Sequence, residues 1–383
     1  MIYKIELCII CLPQKQNMVK MKPCTPEILP LDHLDWDLFV DLVGKANRYI
    51  ARYDGLLQSV VNPDVLLSPL RTKEAVLSSR IEGTQATLEE VMEFEADKST
   101  EEQKEKDIYE VINYRIALME AREEMHDRPL SLNLVRRMHQ VLMDQVRGKH
   151  KAPGKFRRIQ NWIGPPGSTM ETARFVPPDV PAMWESLYNW ESYIHKEEKD
   201  PIVQLAIIHA QFEIIHPFLD GNGRIGRIMI PLFLYHKEII REPVFYMSDY
   251  LERNRSDYYD ALKNITDHGD WTHWIRFFLN GIIQQAEKNI NQTRTIIELY
   301  EKMKTKITEE VRSKYVIQCL DFIFNNPIFN SGDFKRKAGI PTASASRLIK
   351  SMEEGDIVIC LERGTGRRPS LYSFRSLLSI VKN

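Results

Sequence analysis

The chain has 383 residues, of which 43% are hydrophobic and 27% charged, and its 52 Lys and Arg nearly balance its 53 Asp and Glu. This composition is that of a soluble globular protein rather than a disordered or fibrous one, and the length suits two or three domains that each bury a core. A formal net charge of −1 at pH 7 excludes a global attraction to nucleic acid or to an acidic membrane. Any such attraction has to be local.

The first 20 residues give little indication of structure. Their apolar run, MIYKIELCIICL, is much shorter than the roughly 20 residues of a membrane span, and no signal-peptide pattern accompanies it. We interpret residues 1–20 as a loose leader, and an upstream start ahead of Met21 is one explanation. The five cysteines form no disulfide framework, which fits a reducing cytosol. For Cys8 and Cys11, which form a CxxC, ordinary thiols are favoured over a zinc or redox site.

The N-terminal region, residues 21–125, is predicted to be helical. Apolar residues recur every three or four positions over 35–57 and again over 63–83, where Gly83 closes the second helix. The charge-rich stretch 96–107 is predicted to be a solvated connection without a function of its own.

Residues 126–280 are predicted to form a helical core. Helical periodicity covers 110–125 at its edge, then 130–146 and 180–197. The segment 153–178 differs, because Pro and Gly stand at its ends and centre and two short apolar runs flank the middle. We predict a β-hairpin with an exposed edge that invites another strand to pair with it. A surface loop with no partner is the alternative.

The twelve residues HPFLDGNGRIGR, 216–227, place a glycine-rich turn between two predicted helices. Pro217 disfavours continuing the preceding helix through His216, and the apolar segment after the turn predicts a buried helix that begins at about the second glycine. Unpaired amides at a helix N-terminus bind anions, and glycine lets a ligand approach closely. The amides in question belong to Gly221, Asn222, Gly223 and Arg224.

The side chains of this turn indicate phosphoryl or nucleotidyl transfer. Arg224 and Arg227 share a helix face and extend the positive field along a chain of phosphates. Phosphates would repel Asp220 unless Mg²⁺ lay between them, and one carboxylate plus phosphate oxygens is the usual coordination of that ion. His216 is suited to take a proton from an incoming hydroxyl. The chain lacks GxxxxGK[ST], which excludes a Walker-type loop. Taken singly, each feature also fits a structural turn or a calcium loop.

The same twelve residues resemble the signature HPFx[DE]GNGRxxR of the Fic (filamentation induced by cAMP) domain proteins, without a departure. The resemblance implies an all-α bundle that transfers AMP from Mg-ATP to a Ser, Thr or Tyr hydroxyl of a target protein. It implies His216 as the general base, Phe218 as a core anchor and Asp220 as the magnesium ligand. The ATP phosphates would be held by Gly221, Asn222, Gly223, Arg224 and Arg227, with the two arginines at the β- and γ-phosphates.

Two further segments resemble parts of the same family. The predicted hairpin from Phe156 to Val176 resembles the flap that pairs with the target's backbone, and Trp162 and Ile163 are its candidate target-positioning residues. The stretch SDYYDAL resembles the segment that lines the adenine pocket. Its candidate residues are Tyr258 and Tyr259.

The stretch SSRIEG, which begins at Ser78, matches [ST]xxxE[GN], the inhibitory helix of Fic proteins that carry their inhibitor on the N-terminal side. The resemblance implies that Glu82 pairs with Arg227 and displaces the γ-phosphate into an unproductive pose. A glutamate in the last turn of a helix opposes the helix dipole unless a cation meets it, which gives the pairing physical support. Arg80 or Arg71 is the alternative cation.

Beyond residue 280 the pattern changes. Residues 281–305 predict a polar linker helix. Residues 306–383 predict a helix, a turn at Gly339, a second helix capped near Thr342, a strand, a basic turn and another strand, which is the order of a winged helix. The expected fold is therefore an all-α Fic bundle with a small hairpin flap and a C-terminal winged-helix domain.

The charge of this tail leaves its partner open. From residue 306 onward, 13 Lys and Arg stand against 8 Asp and Glu, so contact with DNA phosphates is one expectation. The basic turn contributes Arg363, Arg367 and Arg368. Ser344 and Ser346 on the second helix offer little base-specific readout. A protein-interaction or dimerisation module is at least as well supported.

Two hypotheses of different classes follow. The first is a cytoplasmic, self-inhibited protein adenylyltransferase that uses Mg-ATP, modifies a target protein and itself, has no membrane partner, and could form homo-oligomers. The second is a DNA-binding or toxin-regulating protein whose Fic domain only senses nucleotide. Within the first, the site could also remove AMP, with Glu82 orienting a water, or transfer another phosphate-containing group. An intact base and metal ligand favour the enzyme.

Overall fold

The fold comes from a computed structural model that describes residues 22–60, 62–144, 146, 151–165, 167–311, 313–366 and 368–382. The predicted leader at 1–20, with Cys8 and Cys11, lies outside these residues. Arg367 of the predicted basic turn lies outside them too. Helices make up most of the described chain, and three short strands lie near its C-terminus.

Five helices form the N-terminal region: α1 Val40–Leu57, α2 Pro63–Leu66, α3 Ser68–Ile81, α4 Leu88–Glu95 and α5 Glu102–Glu124. The prediction of one helix over 63–83 is wrong, because the helix breaks at Leu67. Pro69 lacks the amide that a continuous helix would donate to the carbonyl of Val65. The predicted end is confirmed, since Glu82 caps α3 and Gly83 follows with a φ of +97°.

The stretch 96–107 is not a connection throughout. Only 96–101 lie outside helices, and the prediction is wrong for 102–107, which form the start of α5. Glu, Gln and Lys are strong helix formers, and Lys106 pairs with Glu102 one turn away at 3.1 Å. Asp107 is buried, and its carboxylate accepts a hydrogen bond from the backbone N–H of Gln85 at 2.8 Å.

Four helices carry the central motif: α6 Leu132–Leu142, α7 Val180–Ile194, α8 Pro201–Ile215 and α9 Asn222–His236. Asp179 and Asp200 cap α7 and α8 by accepting hydrogen bonds from backbone amides of the first turn. Helices α8 and α9 are buried along nearly their whole length. They meet at the turn 216–221, as the sequence predicts.

The segment 156–176, which we call the flap, is mostly irregular. Among its described residues, a single antiparallel bridge joins Ile163 to Phe175, with backbone N–H···O distances of 2.9 and 3.1 Å. One 3-10 turn spans Met170–Thr172. The prediction of a β-hairpin is therefore wrong beyond this one pair, because the central GPPG offers too few amides for a ladder.

Three helices complete the core: α10 Ser248–Arg253, α11 Arg255–His268 and α12 Trp271–Val311. The predicted linker, 281–305, is helical but forms the interior of α12, which packs along α1. Ile282, Ala286 and Ile290 are buried on its inner face. The segment is thus part of the core rather than an exposed connection.

The C-terminal unit, residues 316–382, contains the predicted pair of helices and the strands on either side of the basic turn. It adds a helix and a strand before them and a helix after them, and α12 extends to Val311, past the predicted start of the unit at 306. The unit consists of α13 Val316–Asn325, β1 Ile328–Asn330, α14 Ser331–Lys337, α15 Thr342–Glu354, β2 Ile359–Glu362, β3 Leu371–Ser373 and α16 Arg375–Lys382. The strands form an antiparallel sheet in the order β1-β3-β2. Gly339, with a φ of +66°, makes the turn between α14 and α15. Among the helices of the described residues, none combines the length and apolar character that crossing a membrane requires.

Candidate active site

His216 ends helix α8 in the left-handed conformation, with φ 49° and ψ 60°. This conformation is uncommon for a residue with a side chain, and here it reverses the chain so that Pro217 leads into the turn. At the other end of the turn, Gly221 has a φ of +77° and precedes the first residue of α9. The turn therefore joins the C-terminus of one buried helix to the N-terminus of another.

The imidazole of His216 is neutral near pH 7. Burial lowers its pKa to about 4, helped by the charge of Arg157, although the carbonyl of Glu213 and the charge of Glu82 act in the opposite direction. Its Nδ1 lies 3.3 Å from the carbonyl oxygen of Glu213. Because a carbonyl can only accept, Nδ1 carries the proton and Nε2 keeps its lone pair. The side chain can therefore act as a base through Nε2.

Asn222 shapes the turn with its side chain. Its Oδ1 accepts a hydrogen bond from the backbone N–H of Phe218 at 2.8 Å, and its Nδ2 donates to the carbonyl of Phe218 at 2.9 Å. The side chain is buried, so the expectation that it binds phosphate is corrected. Its backbone N–H, one of the first amides of α9, remains a candidate donor.

His139 on α6 packs against the turn and hydrogen-bonds to it. No sequence pattern distinguished this residue. Its ring stacks on Phe218 with centroids 3.8 Å apart and planes at 3°. Its Nε2 donates to the carbonyl of Asp220 at 3.0 Å, and its Nδ1 accepts from the N–H of Gly154 at 2.9 Å. Burial lowers the pKa of His139 to about 4, so it is a neutral hydrogen-bonding residue of the core. Phe218 is itself fully buried, as its expected role of core anchor requires.

Arg157, at the start of the flap, is a second residue that the sequence analysis missed. Its guanidinium donates to the carbonyls of His216 and Pro178 at 3.1 and 2.5 Å. Nearby, the Nδ2 of Asn161 donates to the carbonyl of Phe218 at 3.1 Å. The flap is thus attached to the turn at its base, through contacts that join residues distant in sequence.

The N-terminus of α9 is built to receive an anion. The amides of Asn222, Gly223 and Arg224 have no acceptor within their own helix, and the helix dipole adds positive potential. Asp220 lies beside them with 44% of its side chain exposed. No cluster of three or more metal-binding side chains occurs among the described residues. One accessible carboxylate suits Mg²⁺ that takes its other ligands from phosphates and water.

Arg224 engages different partners from Arg227, although the two lie three residues apart in α9. It is buried against Glu110 at 3.3 Å and Asp220 at 3.5 Å, and within the described chain its Nε and Nη1 lack hydrogen-bond partners. Both arginines are engaged by protein carboxylates in this arrangement, and the predicted phosphate clamp stays a prediction. Arg224 would have to turn away from Glu110 to reach a ligand.

Arg227 is held by the end of helix α3. Its Nη2 lies 2.6 Å from Oε1 of Glu82, its Nε donates to Oγ of Ser78 at 2.8 Å, and its Nη2 also donates to the carbonyl of Ser78 at 3.0 Å. The predicted ion pair is therefore confirmed as a contact. The alternative partner Arg71 pairs instead with Asp64 at 2.8 Å.

The Glu82 carboxylate lies directly over the turn. A Cβ added to Gly223 would collide with Glu82 Oε1 and would come within 2.9 Å of an Arg227 nitrogen. Burial alone would raise the pKa of Glu82, but the charge and hydrogen bond of Arg227 outweigh it and lower the pKa. The carboxylate is thus charged at neutral pH and occupies the space in front of the α9 amides.

The two tyrosines predicted for the adenine pocket differ in their exposure to solvent. Tyr258 is buried, and its hydroxyl lies 2.9 Å from Nε2 of His209, whose Nδ1 meets the carbonyl of Gly226. The tyrosine hydroxyl is therefore the donor, and Tyr258 belongs to the core, which corrects the expectation. Tyr259 is 39% exposed and remains a candidate. The charge of Glu82 contributes to raising the pKa of Tyr259 to about 12, after burial.

Both predicted flap residues are accessible. Trp162 and Ile163 are 44% and 37% exposed, and the indole N–H of Trp162 donates to the carbonyl of Ser168 at 2.8 Å. A large apolar side chain on an accessible segment beside the turn suits contact with a second molecule.

Two known family profiles match the chain over the residues that form this site. Residues 129–234 match the Fic/DOC family profile, and residues 40–123 match the Fic/DOC family N-terminal profile. The chain is a Fic domain protein. The first match contains the whole turn with His216, and the second contains helix α3 with Glu82.

Curated Fic relatives share only part of the chain. A protein adenylyltransferase Fic from Drosophila ananassae is 31% identical over 127 residues, which are 32% of this chain and 22% of that protein. A probable protein adenylyltransferase from Aquifex aeolicus (strain VF5) is 36% identical over 95 residues, which are 24% of this chain and 26% of that protein. The chain therefore spans about a quarter of the length of these relatives.

Solved structures resemble the chain over more of its length. A Fic family protein from Desulfovibrio desulfuricans G20 covers 92% of this chain and 98% of its own, with a TM-score of 0.56 and 21% identity. A Fic domain containing signaling protein from Bacteroides thetaiotaomicron VPI-5482 covers 65% of this chain and 97% of its own, with a TM-score of 0.52 and 16% identity. At these identities the likeness shows a shared Fic fold and nothing about the ligand.

Proposed function

We propose that this Fic protein is a self-inhibited protein adenylyltransferase, which transfers AMP from ATP to a Ser, Thr or Tyr hydroxyl of a target protein and to itself. The observation that carries the proposal is the neutral imidazole of His216, whose basic Nε2 lies on the same turn as the free amides of α9. The names of the adenylyltransferase relatives support the same reaction.

The chemistry needs a base, a phosphate cradle and a position for the acceptor hydroxyl. In the proposed step, the target hydroxyl oxygen forms a bond to the α-phosphorus, and the bond from that phosphorus to the oxygen bridging to the β-phosphate breaks. Pyrophosphate leaves, and the hydroxyl proton passes to Nε2 of His216. The backbone amides of Asn222, Gly223 and Arg224 face the phosphates, whereas the amide of Gly221 donates to Oδ1 of Asp220 at 2.6 Å. The flap, with Trp162 and Ile163, positions the target.

Asp220 is the proposed magnesium ligand. When bound, the ion would neutralise phosphate charge beside the turn. Asp220 is suited to hold it because its carboxylate is accessible and held in place: the backbone carbonyl of Asp220 accepts a hydrogen bond from His139, and its Oδ1 accepts one from the N–H of Gly221. Arg224 and Arg227 would complete the cradle after leaving their present carboxylate partners, and Tyr259 is the proposed contact to adenine.

Inhibition in this proposal comes from the contact between Glu82 and Arg227. While that ion pair and the hydrogen bonds to Ser78 persist, the Arg227 guanidinium is occupied and Glu82 places a negative charge where a γ-phosphate would lie. The Glu82 carboxylate would repel the γ-phosphate of bound ATP. The nucleotide would therefore be held in a pose unfit for transfer.

The test is label transfer from α-labelled ATP. Glu82→Gly should raise self-labelling at least several-fold over the wild type, and adding His216→Ala should abolish it while ATP binding, measured by calorimetry, persists. Mass spectrometry of Glu82→Gly after incubation with Mg-ATP and cell lysate identifies the group and the recipient. Undiminished transfer in the double variant would contradict the role of His216, and release of AMP from modified proteins would favour the reverse reaction.

A second proposal concerns the C-terminal unit. Its element order, with a helix pair followed by two antiparallel strands around a basic turn, favours a winged-helix module that binds DNA or another protein chain. The protein as a whole would then act in the cytosol as an enzyme with an accessory module.

A further inference from the structure

Arg157 makes an unusual set of contacts for a buried arginine. It is 1% exposed, and its guanidinium hydrogen bonds within the described chain go to backbone carbonyls instead of a carboxylate. The acceptors and distances are His216 at 3.1 Å, Pro178 at 2.5 Å, Ile215 at 3.5 Å and Ile159 at 3.4 Å. Its own backbone N–H donates to the carbonyl of Pro217 at 2.8 Å.

These contacts satisfy the C-terminus of helix α8. The last carbonyls of a helix have no partner in their own helix, and the dipole concentrates negative potential there. Arg157 supplies both the donors and the positive charge, at the point where His216 adopts its left-handed conformation. Asn161 adds a donor to the carbonyl of His216 at 3.4 Å. The base of the flap therefore fixes the backbone that carries the imidazole.

The groups that act on the imidazole come from three elements, two of which present a charge. Helix α3 presents Glu82, which favours protonation of His216, and the flap presents Arg157, which disfavours it. Helix α8 presents the carbonyl of Glu213. The arginines of α9 are directed at Glu82, Glu110 and Asp220. Asp179 and Cys24 are the titratable groups that face Arg157 itself.

We infer that Arg157 is a positioning residue for the transfer reaction: it holds the backbone of His216 and thereby links the flap to the nitrogen that accepts the proton. The inference rests on the proposed function of His216. It adds a residue outside the signature motif, and it gives the flap a mechanical connection to the reacting group as well as to the target.

The test uses Arg157→Met and Arg157→Lys in the Glu82→Gly protein. Arg157→Met should lower kcat at least tenfold, change the KM for ATP less than twofold, and shift the acid limb of the pH profile upward. Lysine restores the charge but not the planar set of donors. In Arg157→Lys the acid limb should therefore return to its position in the Glu82→Gly parent, while kcat stays low. Unchanged kcat and acid limb, or a loss confined to ATP affinity, would overturn the inference.

A readout without turnover separates this inference from the proposed function. The pKa of His216, followed by NMR in histidine-labelled protein, should be higher in Arg157→Met than in its parent, and close to the parent in Arg157→Lys. Asn161→Ala provides a milder variant if Arg157→Met fails to fold. If the parent transfers no label, the proposed function fails, and the NMR titration alone then decides whether Arg157 acts on His216.

A different observation carries a second inference, about the position of the C-terminal unit. Helix α3 packs against α13 and α16, and helix α4 packs against β1. Asn330 donates through Nδ2 to the carbonyl of Ala96 at 3.0 Å and to the carboxylate of Asp97 at 3.3 Å. At the other end, Lys73 donates to the carbonyl of Lys382 at 3.2 Å. We call these contacts the seam.

Glu82 lies in the short connection between the two helices that form one side of the seam. Helix α3 ends at Ile81 and α4 begins at Leu88, and the connection is fixed to α5 by Thr84, whose hydroxyl donates to Glu110 at 2.6 Å. A cavity of about 50 Å³ lies within the seam, between Thr72 and Met92 on one side and Phe322 and Phe329 on the other. The packing there is incomplete, which leaves room for the two sides to shift.

We propose that the seam holds α3 and α4 so that Glu82 stays on Arg227, and that loosening the seam releases the inhibitory contact. The C-terminal unit then regulates the active site through the position of these two helices. This inference also rests on the proposed function. Spatial proximity alone does not demonstrate coupling, so the test measures whether the seam acts through Glu82.

Asn330→Asp is suited to the test. The new carboxylate can still cap α14, where Asn330 Oδ1 accepts from the N–H of Asp333 at 2.7 Å. It lacks the Nδ2 donor, however, and places a negative charge against the carbonyl of Ala96 and the carboxylate of Asp97. Self-labelling should rise at least threefold in the wild-type background and should not rise further in Glu82→Gly. Adding Asp97→Asn, which returns a donor to the pair, should reverse the increase.

Leu348→Ala is the matched control for general destabilisation, because Leu348 is buried in α15 outside the seam. It should lower Tm at least as much as Asn330→Asp without raising labelling. Equal activation by both variants, or further activation of Glu82→Gly by Asn330→Asp, would overturn the inference. Activation by Glu82→Gly but not by Asn330→Asp would leave the proposed function intact and refute the seam.

Discussion

Two glutamates, one within α3 and one that directly follows it, have surroundings that shift their pKa values in opposite directions. Arg227 lowers the pKa of Glu82 despite its burial. Glu74, two turns earlier, is buried beside Ser248 and Tyr114, and burial raises its pKa to about 7, against the hydrogen bonds of Ser248 and the charge of Arg227. At neutral pH the inhibitory carboxylate is therefore charged, and Glu74 is the acid of this helix that exchanges its proton.

Glu74→Gln should remove a pH dependence of stability. The folded pKa of about 7 lies above the unfolded value of about 4.3, so the folded state binds more protons between these values. The contribution to stability is full below about pH 4.3 and is lost as the pH rises to about 7. It amounts to a few kcal/mol at most, because each pH unit between the folded and unfolded pKa corresponds to about 1.4 kcal/mol.

Urea unfolding at several pH values from 5 to 8 measures this effect. The free energy of unfolding should fall with rising pH more steeply in the wild type than in Glu74→Gln. Glu120→Gln, which changes an exposed glutamate of α5, is the control and should keep the wild-type slope. A slope in Glu74→Gln equal to that of the control would contradict the raised pKa.

At the scale of elements, the sequence predicts best where the signal is local. The boundary between α8 and α9 follows from Pro217, the glycines and the apolar period, which are close together in the sequence. The observed start of α9 lies within one residue of the predicted start. The contacts of Arg157 and His139 join residues 59 and 81 positions apart, and no local pattern contains them. The early start of α5 was missed because its charged residues fit a solvated helix as well as a loop.

The flap should depend on the backbone hydrogen bonds that join Ile163 to Arg174 and Phe175. Ile163→Pro removes the N–H that donates to the carbonyl of Phe175 at 2.9 Å, so the exposed segment loses its extended conformation. In the Glu82→Gly protein, labelling of lysate proteins should fall at least fivefold, while ATP affinity by calorimetry stays within twofold. Ile163→Val keeps the N–H and a β-branched side chain and should label normally. An equal fall in ATP affinity would mean that the flap serves the nucleotide instead.

At the scale of the whole molecule, charge counted along the sequence overstates the field of the C-terminal unit. Lys337 pairs with Asp333 at 3.0 Å, and Arg336 pairs with the same carboxylate. Arg363 of the basic turn donates to Glu353 of α15 at 3.1 Å. Such pairing across a turn of helix or between neighbouring elements depends on the fold, so a count of residues could not anticipate it. Less positive charge is therefore available to attract phosphates than the count suggests.

We therefore expect the whole chain to bind duplex DNA only in the non-specific range, with a Kd of about 10⁻⁴ to 10⁻⁶ M at physiological salt, and without preference among sequences. Fluorescence anisotropy at 50 and 200 mM salt measures this. Glu353→Gln should strengthen binding at 50 mM salt, because it frees Arg363 to meet phosphates. Glu309→Gln makes the same change of net charge on an exposed residue of α12, and should leave binding unchanged if the basic turn is the contact. Sub-micromolar, sequence-dependent binding by the wild type would contradict this expectation, because a basic turn whose charge is neutralised by ion pairs should not bind so tightly. The C-terminal unit would then be assigned to specific DNA recognition.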